Sequence, residues 1–181
     1  MDTVDQLLLA NGTVLKLRHV QAADADALRA LIEGLSPHDM YLRFHGSVKF
    51  TSAARIAQLA KVDPGKSLAL VATARSWDRE ELVAEARWVV DGKGHDAEVA
   101  ILVGAPWRHQ GIGTRLLTEL RRGAVAQGLQ RLHGHVFAIN SAMLALSCNQ
   151  GFSCMDDPED PRLRKISMTL ATPSRSHSLV S

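Results

Sequence analysis

The stretch Arg108-His109-Gln110-Gly111-Ile112-Gly113-Thr114 is where this sequence is best equipped to hold an anion. An apolar run suited to a strand leads into it, and helical spacing begins within the glycines. Gly111 and Gly113 lack a Cβ, so a ligand can approach the backbone closely. The first N–H groups of a helix have no intrahelical partner, and with the helix dipole they suit a phosphate. Arg108 and Arg115 add positive charge, and Thr114 adds a hydroxyl donor. The segment is not a nucleoside-triphosphate loop, because no Gly-Lys-Ser/Thr follows. It is not the dinucleotide fingerprint either, because the third glycine is absent. Taken alone, the Gly-x-Gly is equally well explained as a tight turn between strand and helix.

Other side chains have chemical potential but ordinary alternative roles. His133 and His135 stand two apart on a strand and face the same side, yet no third ligand completes a metal site, so no metal is expected. Cys148 has no base nearby in sequence, and a small buried hydrophobe is its default role. Asp24 and Asp26 read as capping and surface charges, and Arg121 and Arg122 as a solvated helix face. Trp107 reads as core closure. The segment Tyr41–Phe44 fits core packing and the wall of an acceptor cleft equally.

The elements that must position these residues alternate in period. Thr13–Val20 reads as a strand after the Asn11-Gly12 turn. Asp24–Leu35 places Ala27, Leu28, Leu31, Ile32 and Leu35 at helical spacing, with Asp24 as N-cap. Ser36-Pro37 ends that helix and starts a short second one. Ser52–Ala60 reads as a third. Strands follow at Ser67–Ala74, Glu81–Val90 and Asp96–Val103, the last two joined by the turn Asp91-Gly92-Lys93-Gly94. A helix over 111–126, a strand over 131–138, a helix over 141–150 stopped by Gly151, and a strand over 163–170 complete the pattern. Asp156–Pro161, with two prolines and four acids, reads as a loop. Interleaved strands and helices predict an α/β or α+β layered fold with a mixed sheet.

Composition bounds the function. The chain has 181 residues, 46% hydrophobic and 22% charged, which is ordinary for one globular domain. Twenty-one Lys and Arg against nineteen Asp and Glu leave a net charge of +2, too little excess for a dedicated nucleic-acid binder. Two cysteines are too few for a disulfide scaffold. No apolar run approaches a membrane span, and residues 1–6 carry acids rather than a basic signal segment. A cytoplasmic protein with no membrane partner is expected, with one domain over 1–172 and a flexible tail over 173–181.

Set in its wider context, Arg108-His109-Gln110-Gly111-Ile112-Gly113 matches the Arg/Gln-x-x-Gly-x-Gly/Ala signature of the GNAT N-acetyltransferase superfamily. The order of elements over 13–171 resembles that fold as well. More narrowly, Tyr41-Leu42-Arg43-Phe44, Val62-Asp63, Ala97-Glu98-Val99-Ala100 and Asn140-x-x-Met143 resemble the catalytic domain of bacterial Pat-type protein lysine acetyltransferases. Many members of that group fuse this domain to an acyl-CoA-synthetase-like region or a cyclic-nucleotide module. The 181 residues here are expected to hold the transferase domain alone.

The resemblance implies a mostly antiparallel sheet flanked by helices, with a splayed central strand pair, and an activity: acetyl transfer from acetyl-CoA to a protein lysine by direct attack in a ternary complex. It places the pantetheine arm along Ile101, Leu102 and Val103. It places the pyrophosphate on the amides of Gln110, Gly111, Ile112, Gly113 and Thr114, with Arg108 and His109 in the loop, and Asn140 on the arm. It implies a protein partner with an exposed lysine, an acyl-CoA synthetase being the first candidate. A lysine amine, with pKa about 10.4, is an ammonium at neutral pH and needs a base before it can attack. Glu98 matches the general-base position, and its apolar neighbours predict a buried carboxylate. Glu85 is the runner-up. A backbone N–H near Leu102 or Val103 is the expected oxyanion donor. The tyrosine that many relatives place before the closing Gly-Phe is Ser147 here, so the usual general acid is missing. A small-molecule amine acceptor, an acyl-CoA sensor without turnover and a nucleotide-binding module stand as alternatives.

Overall fold

A computed structural model describes residues 3–44, 52–76, 79–92 and 94–171. Eight strands form one sheet: β1 (Thr3–Leu8), β2 (Val14–His19), β3 (Ser67–Ser76), β4 (Arg79–Val90), β5 (Asp96–Val103), β6 (Arg131–Phe137), β7 (Ser153–Asp156) and β8 (Leu163–Thr169). Among the described residues five α-helices pack on it: α1 (Ala25–Glu33), α2 (Pro37–Phe44), α3 (Ala53–Leu59), α4 (Ile112–Ala126) and α5 (Ser141–Asn149). The strand order is β1-β2-β3-β4-β5-β6-β8-β7. Every neighbouring pair is antiparallel except β5 and β6.

The helices divide between two faces because their apolar stripes do. On one face α4 seats Ile112, Leu116, Leu117, Leu120 and Ala124 against Leu70, Ala86, Trp88 and Val99. Each fully buried leucine there contributes about 1.5–3 kcal/mol by leaving water. On the other face Leu28 and Ile32 of α1, Phe44 of α2 and Ile56 of α3 cover Ala69, Val71, Leu82 and Leu102. Successive β5 residues therefore alternate between the two helical layers.

Two short strands lie outside the sequence expectations: β1 and β7 are the edges of the sheet, each with a single partner. The remaining elements match their predicted positions to within a few residues. The expected tail, 173–181, lies outside the described residues, as does Lys93 of the predicted turn. Asp24 does not cap α1 with its side chain and is not a surface charge. It is 7% exposed and accepts two 2.8 Å hydrogen bonds from the buried Arg18 guanidinium. It also accepts from the Gln21 N–H at 2.7 Å, so it ties β2 to the start of the helical layer. Cys148 is exposed rather than buried, with its Sγ 2.6 Å from Cys154 Sγ. Burial and the Cys148 contact push the Cys154 thiol up to about 11.

Candidate active site

The parallel pairing of β5 with β6 is only three residue pairs long, ending at Glu98↔His133. Beyond it the strands part. The ladder between β4 and β5 shows which groups this exposes. Gly104 N–H donates to Val83 O and Asp91 N–H to Asp96 O, both at 2.9 Å. In an unbroken antiparallel register, hydrogen-bonded pairs alternate, so Glu98, Ala100 and Leu102 bond to β4. The N–H and C=O groups of Ile101 and Val103 therefore point into the splay, where no strand stands opposite. Leu102, expected as a possible oxyanion donor, has its amide committed to the ladder, which leaves Val103 of the two.

A cavity of about 570 Å³ occupies this splay. Ile101, Leu102, Val103, Arg108, His109, Gly111, Ile112, Gly113, Thr114 and Asn140 all line it, as does Glu98. Its floor at one end is the N-terminus of α4. Gly111 is the N-cap there, no side chain caps the helix, and no acid sits in its first turn. His109 (φ 60°) and Gly111 (φ 80°) both turn left-handed, and both line the cavity together with Ile112, Gly113 and Thr114 of the first helical turn. A 15-residue helix with uncapped amides aimed into a cavity fits a pyrophosphate, and the free strand edge fits an amide-bearing arm. An acyl-CoA donor thus matches the donors present.

The two glycines do different work. A Cβ on Gly111 would meet nothing within 4 Å, so its role is the positive φ. A Cβ on Gly113 would come within 3.0 Å of Leu146 Cδ2, so that glycine also lets α4 approach α5 closely. Gly111→Ala is expected to cost about 1–2 kcal/mol through backbone strain alone. Its coenzyme A affinity should fall further than its melting temperature, as calorimetric titration and a thermal melt would show.

Several charges are placed otherwise than the spacing suggested. Arg115 pairs with Asp5 of β1 and with Glu119, not with the anion site. Arg108 donates through Nε to Val103 O (3.1 Å) and pairs with Asp39 of α2 (3.0 Å), bracing the loop against the acceptor side. Burial pushes Asp39 up, but Arg108 and Ser36 outweigh it, and the carboxyl sits below the usual range. Gln110 is not among the lining residues and donates to Pro106 O at 3.1 Å. Asn140 accepts from Met143 N–H at 3.1 Å as the N-cap of α5. Trp107 packs against the core and also lines the cavity.

Glu98 is exposed on the cavity wall, not buried as its apolar neighbours predicted, because it stands on the last pair before the strands part. Glu85 is 2% exposed and absent from the lining. It is held between Arg87 and Arg43, the latter at 3.6 Å. Arg43 lines the cavity, with its buried Nε lacking a partner. Burial lowers its pKa against the opposing charge of Glu85 and, more weakly, of Glu98. Leu42 and Phe44 complete that wall, while Tyr41 stacks on Phe137 of β6 with ring centres 4.7 Å apart. Ser147 is fully buried and donates to Met143 O at 2.8 Å, so its hydroxyl is turned away from the cavity chemistry. Among the described residues no cluster suits a metal ion, and no helix is long and apolar enough to cross a membrane.

Comparison with known proteins gives the same frame. The family model described as the acetyltransferase (GNAT) family matches residues 24–152. Acetyltransferase PA5475 of Pseudomonas aeruginosa is 28% identical over 152 residues, covering 84% of this chain and 82% of that protein. The GNAT domain of S. lividans PAT superposes with a TM-score of 0.80 at 21% identity, over 92% of this chain and 96% of that one. The PaiA N-acetyltransferase of Thermoplasma acidophilum, solved with coenzyme A, gives 0.68 at 15% identity, over 86% and 98%. A cAMP-binding acyltransferase from Mycobacterium smegmatis gives 0.62 at 24% identity, over 92% of this chain and 47% of that one.

Proposed function

The chain belongs to the acetyltransferase (GNAT) family and takes its acyl group from acetyl-CoA, and from that premise we propose that the acceptor is the side-chain amine of a lysine in a protein. The unit doing so is a single domain over 1–172, most like the Pat-type catalytic domains and working in the cytoplasm. The observation that carries this reading is Glu98, an exposed carboxylate on the cavity wall where β5 leaves β6. There it faces the part of the cavity that a donor laid along Ile101 and an amine entering from the α2 side would share. The amine loses a proton to Glu98, attacks the thioester directly, and the N–H of Ile101, the splay-facing amide nearer to Glu98, steadies the developing oxyanion. The Pat-like motifs Tyr41-Leu42-Arg43-Phe44 and Ala97-Glu98-Val99-Ala100 support a protein acceptor, since both border this cavity.

The committed hydroxyl of Ser147 favours one rival, a sensor that binds acyl-CoA without turnover. Thiol release from acetyl-CoA, measured with an acyl-CoA synthetase, other lysine-bearing proteins and a set of small amines, separates the readings. Release with a protein, and acetyl-lysine located on it by mass spectrometry, is the expected result. Release with small amines alone would overturn the protein acceptor. Coenzyme A binding with no release on any amine would favour the sensor.

A further inference from the structure

We infer that His135, oriented by Asp157, is the proton donor to the departing thiol, in place of the acid that Ser147 does not supply. This rests on the acetyl-transfer reading above.

The placement comes from the sheet. His135 is two residues beyond His133, the last β6 residue paired with β5, so it shares the face of Glu98 and stands across the splay. It lines the same cavity. Its Nε2 lies 3.2 Å from Asp157 Oδ2. Asp157 is itself held firmly: its side chain is 10% exposed, and its Oδ1 accepts the N–H groups of Glu159 (2.8 Å) and Asp160 (3.3 Å). The acidic, proline-bearing segment that reads as a loop in the sequence is thus a mount for one carboxylate against one imidazole. With Nε2 committed to Asp157, Nδ1 is the nitrogen left for a ligand. Glu98 and Arg43 line the same cavity, Lys165 is the β8 partner of His135, and Asp157 is its ion-pair partner among the described residues. The other imidazole in the lining, His109, belongs to the anion loop at the far end.

The protons balance. The acceptor ammonium gives one proton to Glu98. The amine forms the C–N bond, and the C–S bond breaks with its electron pair on sulfur. The His135 imidazolium protonates that sulfur through Nδ1. The new nitrogen then carries two protons: one passes to His135 and restores the imidazolium, the other stays as the amide N–H, and Glu98 returns its proton to water. One proton is released per transfer.

The test uses the 181-residue chain, with His135→Asn, Asp157→Asn and His135→Ala as separate variants. Calorimetric titration compares coenzyme A with desulfo-coenzyme A, which lacks the thiol. The wild type should bind coenzyme A several-fold more tightly than the desulfo form, and His135→Asn and Asp157→Asn should bring that ratio close to one. In thiol-release assays with acetyl-CoA and the best acceptor protein, kcat should fall about 100-fold with little change in the acetyl-CoA KM. Added imidazole should recover part of the rate of His135→Ala. An unchanged affinity ratio in His135→Asn would overturn the sulfur contact. Rates that fall only together with melting temperature, without imidazole rescue, would make the dyad a structural strut and overturn the proposal too. A wild type that binds coenzyme A but acetylates nothing would defeat the transfer reading, while the affinity ratio still decides whether His135 meets the sulfur.

Discussion

Glu98→Gln is expected to lower kcat by 10²–10⁴-fold while leaving acetyl-CoA affinity within about twofold. The substitution keeps the shape of an exposed side chain on the cavity wall and removes only its ability to take a proton. With an amine pKa near 10.4, about one lysine in a thousand is unprotonated at pH 7.4, so losing the base leaves that small fraction to react unaided. The deficit should therefore shrink as pH rises towards 10, where the acceptor deprotonates without help. Steady-state kinetics across pH, paired with titration of the acyl donor, read both quantities. Undiminished turnover at neutral pH would remove Glu98 from the mechanism. Glu85 is no natural understudy, because it is buried between Arg43 and Arg87 away from the cavity lining.

The largest expected loss of stability is at Asp24→Asn, about 3 kcal/mol, because it leaves the buried guanidinium of Arg18 with only its longer 3.4 Å contact to Glu80. The wild-type pair is bidentate and both residues are buried. Replacing both partners with apolar residues of similar volume should cost much less than Asp24→Asn alone. Burial raises the Asp24 carboxyl, but the Arg18 fork, the Gln21 N–H and the charge of Arg18 together outweigh it and hold the group below the usual range. With its folded value depressed, the group stabilises fully above the unfolded value of about 3.9 and loses that contribution as pH falls through the lower folded value. Chemical denaturation should show a constant gap between wild type and variant from roughly pH 5 to 8, closing below about pH 4. A gap that held its size in acid would contradict the assignment.

What could be read in the sequence was whatever depends on neighbours along the chain. Helical spacing from Leu28 to Leu35, the alternation after Asn11-Gly12, and the glycines at 111 and 113 each announce their element within a few residues. Strands β1 and β7 did not, because an edge strand has one partner and little need of an apolar face: Leu8 is 70% exposed and Met155 59%. The site followed the same division. The anion loop and Glu98 were legible from type and position. The partners of Arg115, Arg108 and Asp24 were not, because Asp5, Asp39 and Arg18 meet them only once the sheet has formed, up to 110 residues away. Likewise, nothing in the spacing of His135 and Asp157 signals their contact, which depends on the turn after β7.

The brevity of the β5–β6 pairing has a consequence for how the molecule holds together. Strands β6, β8 and β7 join the other five through three residue pairs and the helices laid over the seam. A donor strand of ligand bonded to Ile101 and Val103 would act as backbone for a sheet that the polypeptide leaves unlaced. Amide hydrogen exchange should register this: protection at Ile101 and Val103, and along the facing half of β6, rises when coenzyme A binds, while β3 and β4 stay as they were. In that sense substrate loading and completion of the fold are one event, and each product release partly unlaces the seam again.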